Sequence, residues 1–282
     1  PPHVVFDIGS FNSAKESGRV VRFMQYASRA LDGIFYHASG QLDFYRRCYP
    51  WLADKALYVP FGADIELFDR WEKETSSVLP EKKGGAKTAK EDGANKPAPY
   101  VLFVGAGYQE RDTDTLLRAW EKTAASSLGV ELRMVGAYAG KIEKEAIRLL
   151  PKMPMGELNS QIAGALFCIL PLKERNFSYG QMTLLQQMAF GKAVITACVS
   201  GVKDYLEDEV TGLFYEPENA LQLACRIDRL LQDGTLRDRL GRAARERVYG
   251  YYNEARMARD IEAGLERLGV MARKGRESRV WR

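Results

Sequence analysis

The sequence predicts an α/β protein built on parallel sheets. Three observations carry this. Apolar strand-like runs alternate with segments of helical spacing along almost the whole chain. The strand-like runs are uninterrupted apolar stretches ending at Gly or Pro, as in Tyr100–Val104 before Gly105 and Phe167–Leu170 before Pro171, and strands buried on both faces read this way. One apolar-poor stretch divides the alternation into two parts.

The first part covers residues 1–72. Val4-Val5-Phe6 reads as a short buried strand. Val20 to Leu31 places Val20, Phe23, Met24, Ala27 and Leu31 on one helical face. Gly33–Tyr36 is a second strand, Leu42 to Tyr49 an amphipathic helix, and Ala56–Val59 a third strand stopped by Pro60. Residues 73–98 include Glu81-Lys82-Lys83-Gly84-Gly85-Ala86-Lys87 and cannot bury enough surface to offset their ordering entropy, so they are expected to be a flexible linker or insertion. In residues 99–268, strands are expected at Tyr100–Val104, Val130–Val135, Phe167–Leu170, Ala193–Thr196 and Gly212–Tyr215. Helices are expected around Leu116–Trp120, Glu157–Leu166, Gly180–Phe190 and, as a short one, Val202–Leu206. Two more follow, the first presenting Ala220, Leu223, Ala224, Ile227, Leu230 and Leu231 on one face. Such an order is doubly wound, and ligands of doubly wound sheets sit at the carboxyl ends of the strands.

Charge and composition narrow the function. The chain of 282 residues carries a net charge of +4, and the tail over 269–282 accounts for it with Arg273, Lys274, Arg276, Arg279 and Arg282 against Glu277. A basic tail is not a basic face, and no base-reading or stacking motif accompanies it, so a nucleic-acid partner is not expected. No apolar run approaches the roughly 20 residues that cross a bilayer, and there is no basic-then-apolar leader. The expected location is the cytoplasm, with the tail as a candidate contact for the inner face of the membrane. The sequence starts at Pro1 rather than Met, and is read as a fragment. Four scattered cysteines without a C-x-x-C spacing read as free thiols, with Cys168 and Cys198 in apolar runs, and two histidines are too few for a zinc site. His37 ends a strand-like run and reads as structural.

The strongest chemical signal is Ser178-Tyr179-Gly180-Gln181-Met182-Thr183 followed by Leu184 to Thr196. A glycine turn after a strand opens a helix here, and the first amides of that helix have no internal partners and stand at the positive end of its dipole. A phosphate suits such a place. Further stretches accompany it: Gln186-Gln187-Met188-Ala189-Phe190-Gly191-Lys192-Ala193-Val194-Ile195-Thr196, Gly201 to Phe214, Leu236 to Val248, and Tyr58-Val59-Pro60-Phe61-Gly62-Ala63-Asp64.

Together these stretches resemble the large family of retaining GT-B glycosyltransferases, the glycosyl transferases group 1 family, from about Gly33 to Tyr252. The resemblance implies two Rossmann-like doubly wound domains facing a cleft, the N-terminal, acceptor-side one incomplete. It also implies transfer of a sugar from a UDP- or GDP-linked donor to a sugar, lipid-linked or protein acceptor, without cofactor or metal. The donor would be held by Gly105, Arg111, Ser178, Tyr179, Gly180, Gln181, Met182, Thr183 and Gln186. Arg111 stands at the family's lysine position and Ala106 at its arginine position, while Ser178 and Gln186 replace two family glutamates. Asp7 and Ser178 are the candidates for a catalytic side chain, with Ser10 and Asn12 beside Asp7. The residues leave two alternatives open: a nucleotide-sugar-binding module without turnover, and a GT-B-fold sugar-nucleotide epimerase.

Overall fold

In the computed structural model the described residues are 4–7, 22, 25–26, 28–76, 98–136, 146–175 and 179–270. They form two parallel sheets. The first sheet joins β1 (Val4–Asp7), β2 (Gly33–Tyr36) and β3 (Ala56–Tyr58) in that order. Helix α1 (Ser39–Cys48) and a 3-10 turn (Pro50–Lys55) connect β2 to β3. Of the helix expected over 20–31, Arg22, Gln25, Tyr26 and Ser28 are described and helical. Ser10, Asn12, Ser178, positions 77–97 of the expected linker and positions 271–282 of the tail lie outside the described residues.

The second sheet contains β4 (Tyr100–Ala106), β5 (Glu131–Gly136), β6 (Ile147–Leu150), β7 (Cys168–Leu170), β8 (Val194–Ala197) and β9 (Leu213–Tyr215). Its spatial order is β6-β5-β4-β7-β8-β9, with every pairing parallel. The order therefore reverses between β4 and β7, and that switch point opens a crevice at the strands' carboxyl ends. The core explains the apolar runs: Val101, Leu102 and Phe103 of β4 and Cys168, Ile169 and Leu170 of β7 are all wholly buried. Helices α3 (Thr113–Trp120), α4 (Met155–Gly164), α5 (Gln181–Ala189), α6 (Ala220–Gln232) and α7 (Gly234–Tyr251) cover the sheet, and α8 (Glu254–Arg267) follows.

Several expectations need correction. Val202 to Leu206 is a run of turns rather than a helix; Val202, Tyr205 and Leu206 are buried as loop residues. The strand β6 was not expected, because as a sheet edge it carries a half-buried pattern broken by Arg148. Among the described residues three helices, not two, follow β9. Cys168 is buried as expected, but Cys198 is exposed, since β8 ends at Ala197 just before it.

The sequence order also hides an exchange between the halves. Helix α2 (Ile65–Ser76) follows the first sheet but packs on the second: Phe68 and Trp71 meet Phe190 edge-on at 5.3 and 5.0 Å, and Arg245 grips Glu72 with two bonds of 2.5 and 2.7 Å. The helix reaches Ser76, so the first four residues expected in the linker are helical. Helix α8 returns the other way and lays Met257, Ile261 and Leu265 on Phe35, Leu57 and Val59 of the first half. The two crossings run side by side, with Ala63 N–H donating to Tyr252 C=O at 2.8 Å and Glu254 N–H to Ala63 C=O at 3.1 Å. Among the described residues no helix is long and apolar enough to cross a membrane.

Candidate functional site

The crevice at the switch point is made by two loops and one helix end. The loop leaving β4 and the loop leaving β7 are tied together: Asp112 N–H donates to Pro171 C=O and Lys173 N–H to Glu110 C=O, each at 3.1 Å. This seats Arg111 over the start of α5. Helices α3, α6, α7 and α8 begin under a side-chain cap from Asp112, Asn219, Asp233 and Asn253. Helix α5 begins instead at Gly180, left-handed at φ +86° and without a side chain to cap anything. Its backbone ladder opens with Leu184 N–H donating to Gly180 C=O at 2.9 Å. The amides of Gln181, Met182 and Thr183 thus precede the helical ladder and point out of the helix end.

The guanidinium of Arg111 fills the space between two glycines. A Cβ on Gly105, whose φ is +101°, would lie 2.8 Å from Arg111 Nε, and one on Gly180 would lie 3.3 Å from Nη1 and 3.0 Å from Leu172 Cδ1. Both positions require glycine for backbone conformation as well as for room. Arg111 Nη2 donates to Thr183 Oγ1 at 3.3 Å. Its Nε–H is buried without a hydrogen-bond partner, and among the described residues no carboxylate pairs with it. Asp112, its chain neighbour, is turned away and caps α3 by accepting from Thr115 N–H at 3.2 Å. Burial lowers the Arg111 pKa, and the nearby Tyr179, Glu110 and Tyr108 oppose that shift. An arginine stays charged regardless. A cation unpaired by any described carboxylate, set beside the first amides of a helix, has the chemistry that attracts an anion.

The other expected residues divide. Tyr179 is half-buried against the core, and burial raises its phenol pKa well above the ordinary value. Gln181 is buried and its side chain donates to Gly201 C=O at 2.6 Å, so the side chain braces a loop and only its amide faces the crevice. Met182 is exposed. With Thr183 and Gln186 it lines a cavity of about 230 Å³ shared with Met155 of α4 and with Leu67 of α2. Gln186 donates to Asn159 Oδ1 at 2.9 Å and stands 3.1 Å from Met155 Sδ, which leaves its amide oxygen for another group. Asp7 ends β1, in register with Tyr36. His37 is buried, bonded through Nδ1 to Val59 C=O at 2.7 Å and stacked on Phe61 at 3.8 Å, a packing role.

Sequence reasoning missed the contacts that hold the two halves over this crevice. Asp204 takes the backbone N–H and the hydroxyl of Ser39, each at 2.6 Å, and so caps α1 from the other half. Tyr205 accepts from Phe61 N–H at 2.9 Å and donates to His37 C=O. No local pattern announces a cap supplied from 165 residues away.

Residues 98–233 match the family described as glycosyl transferases group 1. A D-inositol 3-phosphate glycosyltransferase of Frankia alni is 28% identical over 180 residues, which are 56% of this chain and 43% of that protein. Its counterpart in Streptosporangium roseum is 24% identical over 188 residues, 59% of this chain and 42% of that protein. The chain thus spans less than half the length of these curated relatives. Among solved structures, Anabaena HepE in complex with UDP and glucose superposes with a TM-score of 0.72 at 13% identity, covering 94% of this chain and 71% of that one. Sucrose-phosphate synthase from Thermosynechococcus elongatus gives 0.68 at 19% identity, covering 95% and 68%. The chain therefore has the α/β fold of the GT-B glycosyltransferase structures, and its residues 98–233 match the glycosyl transferases group 1 domain.

Proposed function

We propose that this protein binds a nucleoside-diphosphate sugar at the β4–β7 crevice and transfers the sugar, with retention at the anomeric carbon, to a hydroxyl acceptor. The observation that carries the reading is the buried guanidinium of Arg111, unpaired by any described carboxylate and poised over the free amides of α5. In transfer, the bond from the anomeric carbon to the diphosphate breaks with its electron pair, the acceptor oxygen bonds to that carbon, and the acceptor's hydroxyl proton passes to the departing diphosphate. Negative charge grows on the departing diphosphate. Arg111, the amides of Gln181 to Thr183 and the dipole of α5 are fixed where that charge appears and need no reorganisation to meet it. Gln186 lies on the same helix two residues beyond Leu184, on the cavity wall, and its free amide oxygen suits a ribose hydroxyl donor. In support, HepE is a structural neighbour that was solved with UDP and with UDP-glucose.

The test is calorimetry with UDP and GDP. Arg111→Ala is expected to weaken binding by about 1.5–3 kcal/mol, the range for a hydrogen bond to a charged group. An unchanged dissociation constant removes Arg111 from the site. Anomeric analysis of a product made from a matching sugar donor tests retention, and an inverted product refutes it.

A second reading is a domain that binds the donor without turnover. It is favoured by Ser178 and Gln186 standing where the resembled family carries glutamates, and by the commitment of the Gln186 amide nitrogen to Asn159. Product formation with an acceptor decides between the two.

A further inference from the structure

Tyr108 is an exposed aromatic ring without an evident structural purpose. It sits at the tip of the loop that leaves β4, with its N–H donating to Gly105 C=O at 3.3 Å and its C=O accepting from Arg111 N–H at 3.1 Å. The loop geometry thus ties the ring's position to that of the guanidinium. The ring is 53% exposed, although burying a tyrosine ring is favourable. Its visible neighbour is Lys152, just past the carboxyl end of β6, whose Nζ lies 5.3 Å from the ring centroid. Tyr108 therefore reaches from the switch point across the carboxyl ends of the sheet toward the β6 edge. A diphosphate anchored at Arg111 has two ends. One carries the sugar, which must face the acceptor in the cleft between the halves. The other carries the nucleoside, and the carboxyl edge of the second sheet is the direction left to it. Along that edge the ring of Tyr108 offers a flat apolar face.

We propose that Tyr108 is the stacking platform for the base of the bound nucleoside diphosphate, through the ring face opposite the Lys152 ammonium, which lies over the ring. The inference rests on the donor-binding reading above. Stacking on an aromatic ring is tolerant of base identity, because every base has a π-face. Tyr108 thus supplies affinity for a nucleotide over a bare diphosphate.

The experiment compares UDP, GDP and inorganic pyrophosphate as ligands of the wild-type chain, Tyr108→Leu and Tyr108→Phe by calorimetry. Tyr108→Leu is expected to weaken the nucleoside diphosphates by roughly ten-fold or more, as loss of one base–aromatic stack does, and to leave pyrophosphate unchanged. Tyr108→Phe keeps the ring and should bind as wild type. Equal weakening of nucleotide and pyrophosphate overturns the proposal, since it marks a residue that only shapes the Arg111 loop. Unchanged nucleotide binding in Tyr108→Leu overturns it as well. If Arg111→Ala still weakens UDP or GDP in that case, the donor-binding reading stands without the platform. A wild-type chain that binds none of the three ligands overturns both.

Discussion

Gln187 offers a direct measure of what helix α5 costs the fold. The residue is wholly buried, and neither its amide nitrogen nor its amide oxygen has a hydrogen-bond partner. Gln186, one position earlier, faces the cavity, so the 100° step of the helix turns Gln187 inward. A buried polar group left unpaired costs about 1–3 kcal/mol. Methionine has the same unbranched length, and a volume-conserving exchange costs under about 1.5 kcal/mol in packing. Two orphaned groups are removed for one modest repacking, so Gln187→Met should stabilise the chain by about 1–3 kcal/mol. For a protein of this size that is a rise in Tm of about 2–10 °C. Thermal unfolding and a urea titration at unchanged slope would measure it. Gln187→Ala is the control: it also removes the amide but leaves a cavity, and should gain less or lose. UDP affinity should not change, because Arg111 and Thr183 are untouched. A Gln187→Met protein that melts at or below the wild-type temperature would show that the amide is satisfied in solution, and would refute the argument.

Two further outcomes follow from contacts already described. Asp204→Ala removes the only described cap on the start of α1 and a charged bond pair between the halves, and should cost about 1–2 kcal/mol in urea unfolding; a loss below a few tenths would show that the contact is not held in solution. Burial pushes the Cys168 thiol up to about 12, so near pH 8 the reactive thiolate is almost absent there, whereas Cys48, Cys198 and Cys225 are exposed. A thiol reagent should titrate three groups in the folded protein and the fourth only after denaturation; rapid reaction of all four would contradict the burial of β7.

Much of this molecule was legible in its residues, for reasons that particular positions make clear. Strands buried on both faces, such as β4 and β7, need no partner to be recognised, because nothing polar interrupts them. Gly180 could be picked out because a glycine turn before a helix has a fixed physical meaning, whereas Arg111 entered through the family resemblance; the structure brings Gly105, Gly180 and Arg111 within contact. The edge strand β6 escaped because an edge tolerates Arg148 where a central strand would not. The turns at 202–206 looked helical because Val202, Tyr205 and Leu206 are spaced like one helix face, yet they are buried by what surrounds them. The break before α8 was visible in principle, since Asn253 before Glu254 is a helix-start signal and its side chain does accept from Arg256 N–H at 2.9 Å. Gln181 illustrates the opposite limit: its place in the turn was readable, but its brace to Gly201 depends on a loop 20 residues away.

The exchanged helices have a consequence for how the chain matures. The second sheet can close once α7 has formed, because α2 has already been made and is waiting to cover Phe190. The first sheet cannot: Phe35, Leu57 and Val59 stay uncovered until Met257, Ile261 and Leu265 arrive some two hundred residues later. During synthesis the earlier of these two sheets is therefore the later to be sealed, with a bare apolar surface in the interval. Such a surface invites chaperones, and a ribosome stalled before α8 would release an adhesive chain. Severing the chain between its two sheets would be equally damaging, because each fragment would carry away the helix that the other needs.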